Sequence, residues 1–164
     1  MKAIYPGTFD PLTNGHLDII ERGSLMFKQL LVAIAENKRK KPLFTLQERV
    51  DMAKKSLSHI KNVEIVPFSN LLINFMKENG INIILRGLRA VSDFEFELQL
   101  ALMNRKMYSE CETVFLMPSS KYIFLSSSMV REIAMLGGDV SCFVPLPVNE
   151  MIIEKCKQGN CYGN

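Results

Sequence analysis

The sequence predicts an α/β fold: a Rossmann-like, doubly wound sheet of five parallel strands with helices on both faces. Three observations predict it. Across the 164 residues, short apolar runs alternate five times with helix-length amphipathic stretches. No tandem hairpin signal interrupts the alternation, so each strand is followed by a crossover rather than a tight turn. The polar loops that could carry chemistry, 6–16, 36–44, 67–72, 86–92 and 118–128, follow the strand candidates. In such sheets ligands bind outside the carboxyl ends of the strands.

Each element has its own local reason. Residues 2–5 form the first strand candidate, and a polar loop then leads into a helix expected from Thr13 to about Phe27, with Leu17, Ile20 and Phe27 near one face. Residues 30–35 are continuously apolar, the pattern of a buried strand. Thr45 opens the second helix by the capping-box pattern, with Glu48 three residues on, and Leu46, Val50, Ala53 and Leu57 make one stripe. Residues 63–66 form the third strand candidate, expected to stop at Pro67. Ser69 is expected to cap the third helix, which ends near Asn79-Gly80. Residues 81–85 form the fourth strand candidate.

The helix expected over about 93–107 carries two apolar stripes, Phe94/Leu98/Ala101/Leu102 and Phe96/Leu100/Met103/Met107. A helix apolar on two faces must bury both, and one face can do so against a partner subunit. Residues 113–117 are the fifth strand candidate, 126–136 a helix closed by Gly137-Gly138, and 147–157 the last helix. One domain is expected over 1–158, with a flexible tail over 159–164.

Composition narrows the class. The chain is 48% hydrophobic and 23% charged, which suits a packed globular protein and argues against disorder. A net charge of +3, from 20 basic and 17 acidic residues, is too mild to indicate nucleic acid and suits a local pocket for an anionic metabolite. No signal-peptide pattern opens the chain, and the longest apolar run, 30–35, is too short to span a bilayer. Cys111, Cys142, Cys156 and Cys161 form no CxxC pair and have no neighbouring His, which argues against a zinc site. A cytoplasmic protein with reduced thiols is expected, with Cys111 and Cys142 filling core space.

Four stretches can carry chemistry. Tyr5-Pro6-Gly7-Thr8-Phe9-Asp10-Pro11-Leu12-Thr13-Asn14-Gly15-His16 leaves a strand, turns, and enters a helix. A helix N-terminus offers unpaired N–H groups and partial positive charge to anions. It also favours a neutral imidazole at His16, a hydrogen-bond donor without full charge, although a His at a helix start can be purely structural. Leu125-Ser126-Ser127-Ser128-Met129-Val130-Arg131 is a serine cluster at another helix start, suited both to capping and to phosphate. Arg86-Gly87-Leu88-Arg89 sits at a strand end, where guanidinium forks suit phosphate, and the acids of 93–97 either hold ribose hydroxyls or neutralise those arginines. Lys38-Arg39-Lys40-Lys41 is either a solvated loop or a basic loop closing on an anionic acceptor. Neither GxxxxGK[ST] nor GxGxxG is present, so phosphate must be held by other means.

These stretches resemble the nucleotidylyltransferase superfamily. Gly7-Thr8-Phe9-Asp10-Pro11 with Thr13-Asn14-Gly15-His16 is similar to its (H/T)xGH element, and 125–131 to its ISSTxxR element, with Leu125 in place of Ile and Ser128 in place of Thr. Within the superfamily, residues 5–16, 40–49, 86–97 and 115–119 resemble the bacterial phosphopantetheine adenylyltransferase family. That resemblance covers residue 3 to about 144, with a poorer fit after about 145.

It implies adenylyl transfer from ATP to 4′-phosphopantetheine, giving dephospho-coenzyme A and pyrophosphate, in homohexamers that use Mg²⁺. By position it implies His16 as transition-state stabiliser, with Lys40 and Arg86 holding the acceptor phosphate beside Thr8 and Leu72. It places Thr8, Phe9, His16, Gly87, Leu88, Arg89, Glu97, Tyr122, Ile123, Phe124, Leu125, Ser126, Ser127 and Ser128 at ATP. No residue is expected to ligate a metal, and with the mild charge and short apolar runs neither nucleic acid nor membrane is expected as a partner. A related enzyme with another acceptor, such as nicotinate mononucleotide, and a non-catalytic nucleotide sensor are the rival readings.

Overall fold

The computed structural model describes residues 1–36, 41–89 and 91–157, without the side chains of residues 91 and 92. Lys40, Cys161 and the tail expected over 159–164 lie outside the described residues. Five strands, β1 (Lys2–Gly7), β2 (Gln29–Ala35), β3 (Val63–Phe68), β4 (Ile83–Gly87) and β5 (Glu112–Leu116), form one parallel sheet in the order β3-β2-β1-β4-β5. The helices are α1 (Asn14–Met26), α2 (Leu46–Leu57), α3 (Leu72–Glu78), α4 (Val91–Met107), α5 (Ser127–Met135) and α6 (Leu146–Lys157).

The period of two along a strand sends alternate side chains to opposite faces. Ala3 and Tyr5 of β1, Leu30, Val32 and Ile34 of β2, and Leu85 of β4 join α1, α2, α5 and α6 in the larger core. Ile4, Leu31, Ala33 and Ile84 point the other way and pack with Ile73 and Met76 of α3 and with Cys111. Continuous apolar runs such as 30–35 are therefore needed, because central parallel strands are covered on both sides.

Three local expectations are corrected. Pro67 does not end its strand: β3 continues to Phe68, with Pro67 in register with Ile34. Proline is tolerated there because β3 is an edge strand, where a missing N–H costs no ladder bond. Ser69 does not cap α3. That seven-residue helix starts after Leu71 without a side-chain cap and is anchored by buried Ile73 and Met76. Cys111 is buried as expected, but Cys142 is exposed. The capping box at Thr45 forms as read, with Glu48 accepting from the Thr45 N–H.

Between β1 and β4 the order of connection reverses, so their following chains diverge and open a crevice at the carboxyl ends. The polar loops meet there.

Candidate active site

The loop after β1 is folded tightly under its own aromatic ring. Phe9 has a positive φ of 48°, its side chain is buried, and its ring meets Tyr5 edge-on at 5.4 Å and His16 edge-on at 5.1 Å. Gly7 makes room for that ring, since a Cβ there would lie 2.8 Å from Phe9 Cζ. Asp10 is buried, with its carboxylate accepting the N–H groups of Leu43 at 3.0 Å and Phe44 at 2.9 Å. Arg131 of α5 pairs with the same carboxylate at 3.2 Å and donates to the Asp10 carbonyl. One acid thus joins the loops after β1 and β2 to α5.

The spacing of Thr13 and His16 has a structural cause. Thr13 is the N-cap of α1, and His16 occupies the position that Glu takes in an ordinary capping box. The Thr13 N–H donates to His16 Nδ1 at 3.0 Å, and the His16 N–H donates to Thr13 Oγ1 at 3.4 Å. With Nδ1 accepting, the neutral ring carries its proton on Nε2. Burial, then the charges of Arg89 and Arg86, push the imidazole from its ordinary 6.5 down to about 4.

Arg86 leaves the end of β4 with its guanidinium already oriented. Its Nε donates to Glu97 Oε2 at 2.7 Å, Nη2 donates to Glu97 Oε1, and Nη1 donates to the Pro6 carbonyl at 2.8 Å. Burial opposes this charge, but the Glu97 bonds outweigh it and raise the arginine's pKa. Burial also pushes the neighbouring Tyr5 phenol well up, leaving it neutral. Arg89 donates to the Leu125 carbonyl at 3.1 Å and pairs with Asp93 at 3.2 Å. Ser126 caps α5 by accepting from the Met129 N–H, and Ser127 donates to the Pro11 carbonyl at 2.8 Å.

These groups line one cavity of about 460 Å³. Thr8, Phe9 and His16 reach it from the loop after β1, Arg86, Gly87, Arg89 and Glu97 from the end of β4 and from α4, and Tyr122, Leu125, Ser126, Ser127 and Ser128 from the segment that leads into and begins α5. Four anticipated residues are not in its wall. Leu88 spends its N–H on the Leu116 carbonyl, Ile123 and Phe124 are exposed, and Leu72 packs on the core beneath α3. The wall also includes Asp10, Thr13, Pro42, Pro118 and Arg131, to which the motif reading assigned no firm role. Asp10 could have been suspected, as an acid in a loop crowded with unpaired N–H groups. Arg131 lies five residues beyond the α5 cap, about a turn and a half, and its reach depends on how α5 meets the β1 loop.

The cytidylyltransferase-like family model matches residues 4–133, which end inside α5. A curated phosphopantetheine adenylyltransferase from Dictyoglomus turgidum is 56% identical over 157 residues, 96% of this chain and 98% of that one. The chain belongs to the phosphopantetheine adenylyltransferase family. Because 157 of the 164 residues take part, the likeness extends past residue 145 into α6, further than the motifs suggested. Among solved structures, a Vibrio parahaemolyticus protein provisionally assigned as a nicotinate-nucleotide adenylyltransferase superposes with a TM-score of 0.69 at 18% identity, covering 98% of this chain and 94% of that one. At that identity the match concerns the fold.

Proposed function

We propose that this chain transfers the adenylyl group of ATP to 4′-phosphopantetheine, releasing pyrophosphate and forming dephospho-coenzyme A, a step of coenzyme A biosynthesis. The observation that carries the mechanism is the capping of His16, which leaves a neutral imidazole with its proton on Nε2 in a cavity edged by three arginines.

The acceptor phosphate is largely dianionic at neutral pH, its second pKa being about 6, so it needs no general base. One of its oxygens attacks the α-phosphorus of ATP while the bond from that phosphorus to the α–β bridging oxygen breaks, and pyrophosphate leaves. The protein's task is alignment and neutralisation of charge. His16 Nε2–H donates to the α-phosphate as charge builds on it. Arg86 uses three of its five N–H groups on Glu97 and Pro6, which leaves two for the acceptor phosphate in a fixed orientation. Thr8 lies where the two substrates meet. Arg89, Tyr122 and Ser126–Ser128 form the nucleotide side.

Lys40 enters this reading through the family resemblance. The chain on either side of it is held by Arg49, whose guanidinium donates to the carbonyls of Glu36 and Phe44.

The three cavity carboxylates are already engaged, Asp10 by two N–H groups and Arg131, Asp93 by Arg89, and Glu97 by Arg86. They do not form a metal nest, so no side chain among them would hold Mg²⁺; arriving with the nucleotide, the ion would help to neutralise phosphate charge. The same reading makes the protein a cytoplasmic homohexamer. Among the described residues no helix is long and apolar enough to cross a membrane. Incubation with ATP, Mg²⁺ and 4′-phosphopantetheine, followed by mass detection of dephospho-coenzyme A, tests the activity. Turnover of nicotinate mononucleotide but not of 4′-phosphopantetheine would overturn it.

A further inference from the structure

Helix α1 has one face in the core, through Ile19, Ile20 and Gly23. A second stripe, Gly15, Asp18 and Arg22, is spaced three and four residues apart and so runs along one side of the helix. By composition it belongs to solvent. In the fold it grips the segment 117–122 that follows β5.

Each member of the stripe makes one part of the contact. At Gly15 the position of a Cβ lies 3.6 Å from Tyr122 Cβ and 3.7 Å from the Tyr122 carbonyl oxygen, so the helix and this segment lie close together. Asp18 accepts the Ser119 N–H at Oδ2 (3.1 Å) and the Ser119 hydroxyl at Oδ1 (2.7 Å). Arg22 donates to the Met117 carbonyl and pairs with Asp18 at 3.3 Å. Asp18 is only 15% exposed, and although burial would raise its pKa, the bonds from Ser119 and Arg22 outweigh that and lower it. It is ionised at neutral pH and makes charge-assisted bonds.

Apart from burial of Pro118 and the packing of Tyr122 against the larger core, the gripped segment is placed by few polar contacts. Its 3-10 turn, Ser120–Tyr122, has no side-chain cap, and its other backbone bonds, Tyr122 N–H to Ser119, Ile123 N–H to Ser120 and Leu125 N–H to Tyr122, are local. Pro118 and Tyr122 form part of the cavity wall. Two residues before Asp18, the same helix carries His16.

We propose that Asp18 is a positioning residue for nucleotide binding: by clamping Ser119 it sets the wall at 118–122 against α1, and so fixes where ATP lies relative to His16. The proposal rests on the assignment of 122–128 to the ATP side. It predicts an effect confined to one substrate, because the acceptor-side groups Arg86 and Thr8 make no contact with Asp18 or Ser119 among the bonds described.

The test compares Asp18→Ala, Asp18→Asn, Ser119→Ala and the double variant Asp18→Ala/Ser119→Ala, with KM measured for each substrate separately. Loss of two charge-assisted bonds should raise KM for ATP about tenfold or more in Asp18→Ala. KM for 4′-phosphopantetheine should stay within about twofold of wild type, since its contacts are not removed. Asp18→Asn, which keeps one acceptor oxygen, should fall between, and the double variant should be no worse than Asp18→Ala.

Equal increases in both KM values, an unchanged KM for ATP, or additive effects of the two substitutions would overturn the proposal. If Asp18→Ala does not fold by circular dichroism, Ser119→Ala and Asp18→Asn decide it by the same readout. If wild type forms no dephospho-coenzyme A, the activity reading fails by itself. Calorimetric ATP affinity of wild type against Asp18→Asn then decides this proposal, and equal affinities sink it.

Discussion

At His16 the needs of the helix and of the reaction coincide. Because Nδ1 closes the N-terminus of α1, the ring cannot turn without breaking a cap, and the donor Nε2–H is held in place before any substrate arrives. His16→Ala should lower kcat about 10²–10³-fold, the usual loss for one donor aimed at transition-state charge, with much less change in KM for ATP. Steady-state kinetics decides this, and similar kcat values would remove His16 from the mechanism.

The depressed pKa gives a second consequence. Folded His16 titrates near 4 against an ordinary 6.5, so its contribution to stability is complete above 6.5 and is lost as pH falls from 6.5 through 4. The bound on that loss is about 3 kcal/mol, reduced by the partial exposure of the ring. Melting temperature should therefore fall over this acid window more steeply for wild type than for a His16→Gln variant. By the same titration, the kcat profile should show no His16 inflection near pH 6.5.

Between elements, the decisive groups are those that tie strand ends to one another. Arg49 of α2 is 1% exposed, and it donates to the carbonyls of Thr8, Ala35, Glu36 and Phe44. It therefore fastens the chain leaving β1 and β2 to the start of α2, next to the site. Arg49→Met should cost about 3–5 kcal/mol in urea unfolding, because one buried and three part-buried carbonyls lose donors together. Arg49→Lys should recover little, since one ammonium cannot span four carbonyls.

Gly23 shows packing overriding propensity. Glycine to alanine inside a helix ordinarily stabilises by about 1 kcal/mol. Here the added Cβ would lie 2.6 Å from Leu85 Cδ2 and 3.2 Å from Leu30 Cδ2, both in fully buried side chains of β4 and β2. Overpacking costs about 1–3 kcal/mol, so Gly23→Ala should lower the unfolding midpoint. A raised midpoint would show that α1 can shift off the sheet.

At the scale of the whole molecule, α4 stands out. Phe96 is 62% exposed, and Leu102 and Met103 are each 59% exposed, while Arg86–Glu97 ties the other side of the helix to β4. Both apolar stripes read in the sequence are left uncovered in the single chain, since Phe94, Leu98 and Leu102 of one and Phe96, Met103 and Met107 of the other are all exposed. The proposed homohexamer would account for it if α4 meets another copy there. Phe96→Asp with Leu102→Asp should then shift the mass by light scattering toward smaller species, and an unchanged mass would place the interface elsewhere. The larger core and the cavity do not depend on this face, so the variant should still fold.

What the sequence by itself determined is local. The alternation of strands and helices, the Thr45/Glu48 box and the spacing from Thr13 to His16 follow from the periods of two and 3.6 and from capping geometry, which neighbours in the chain suffice to define. Tertiary structure alone decided which distant loops meet. Pro67 lies within a strand because β3 is at the edge. Asp10 finds Phe44, Arg131 finds Asp10, and Asp18 finds Ser119, 101 residues away, because the order β3-β2-β1-β4-β5 brings their strand ends and helices together. A polar side chain in sequence shows what it can bond to. The crossover order determines which partner is within reach, and here it turned an apparently solvated stripe of α1 into the support of a cavity wall.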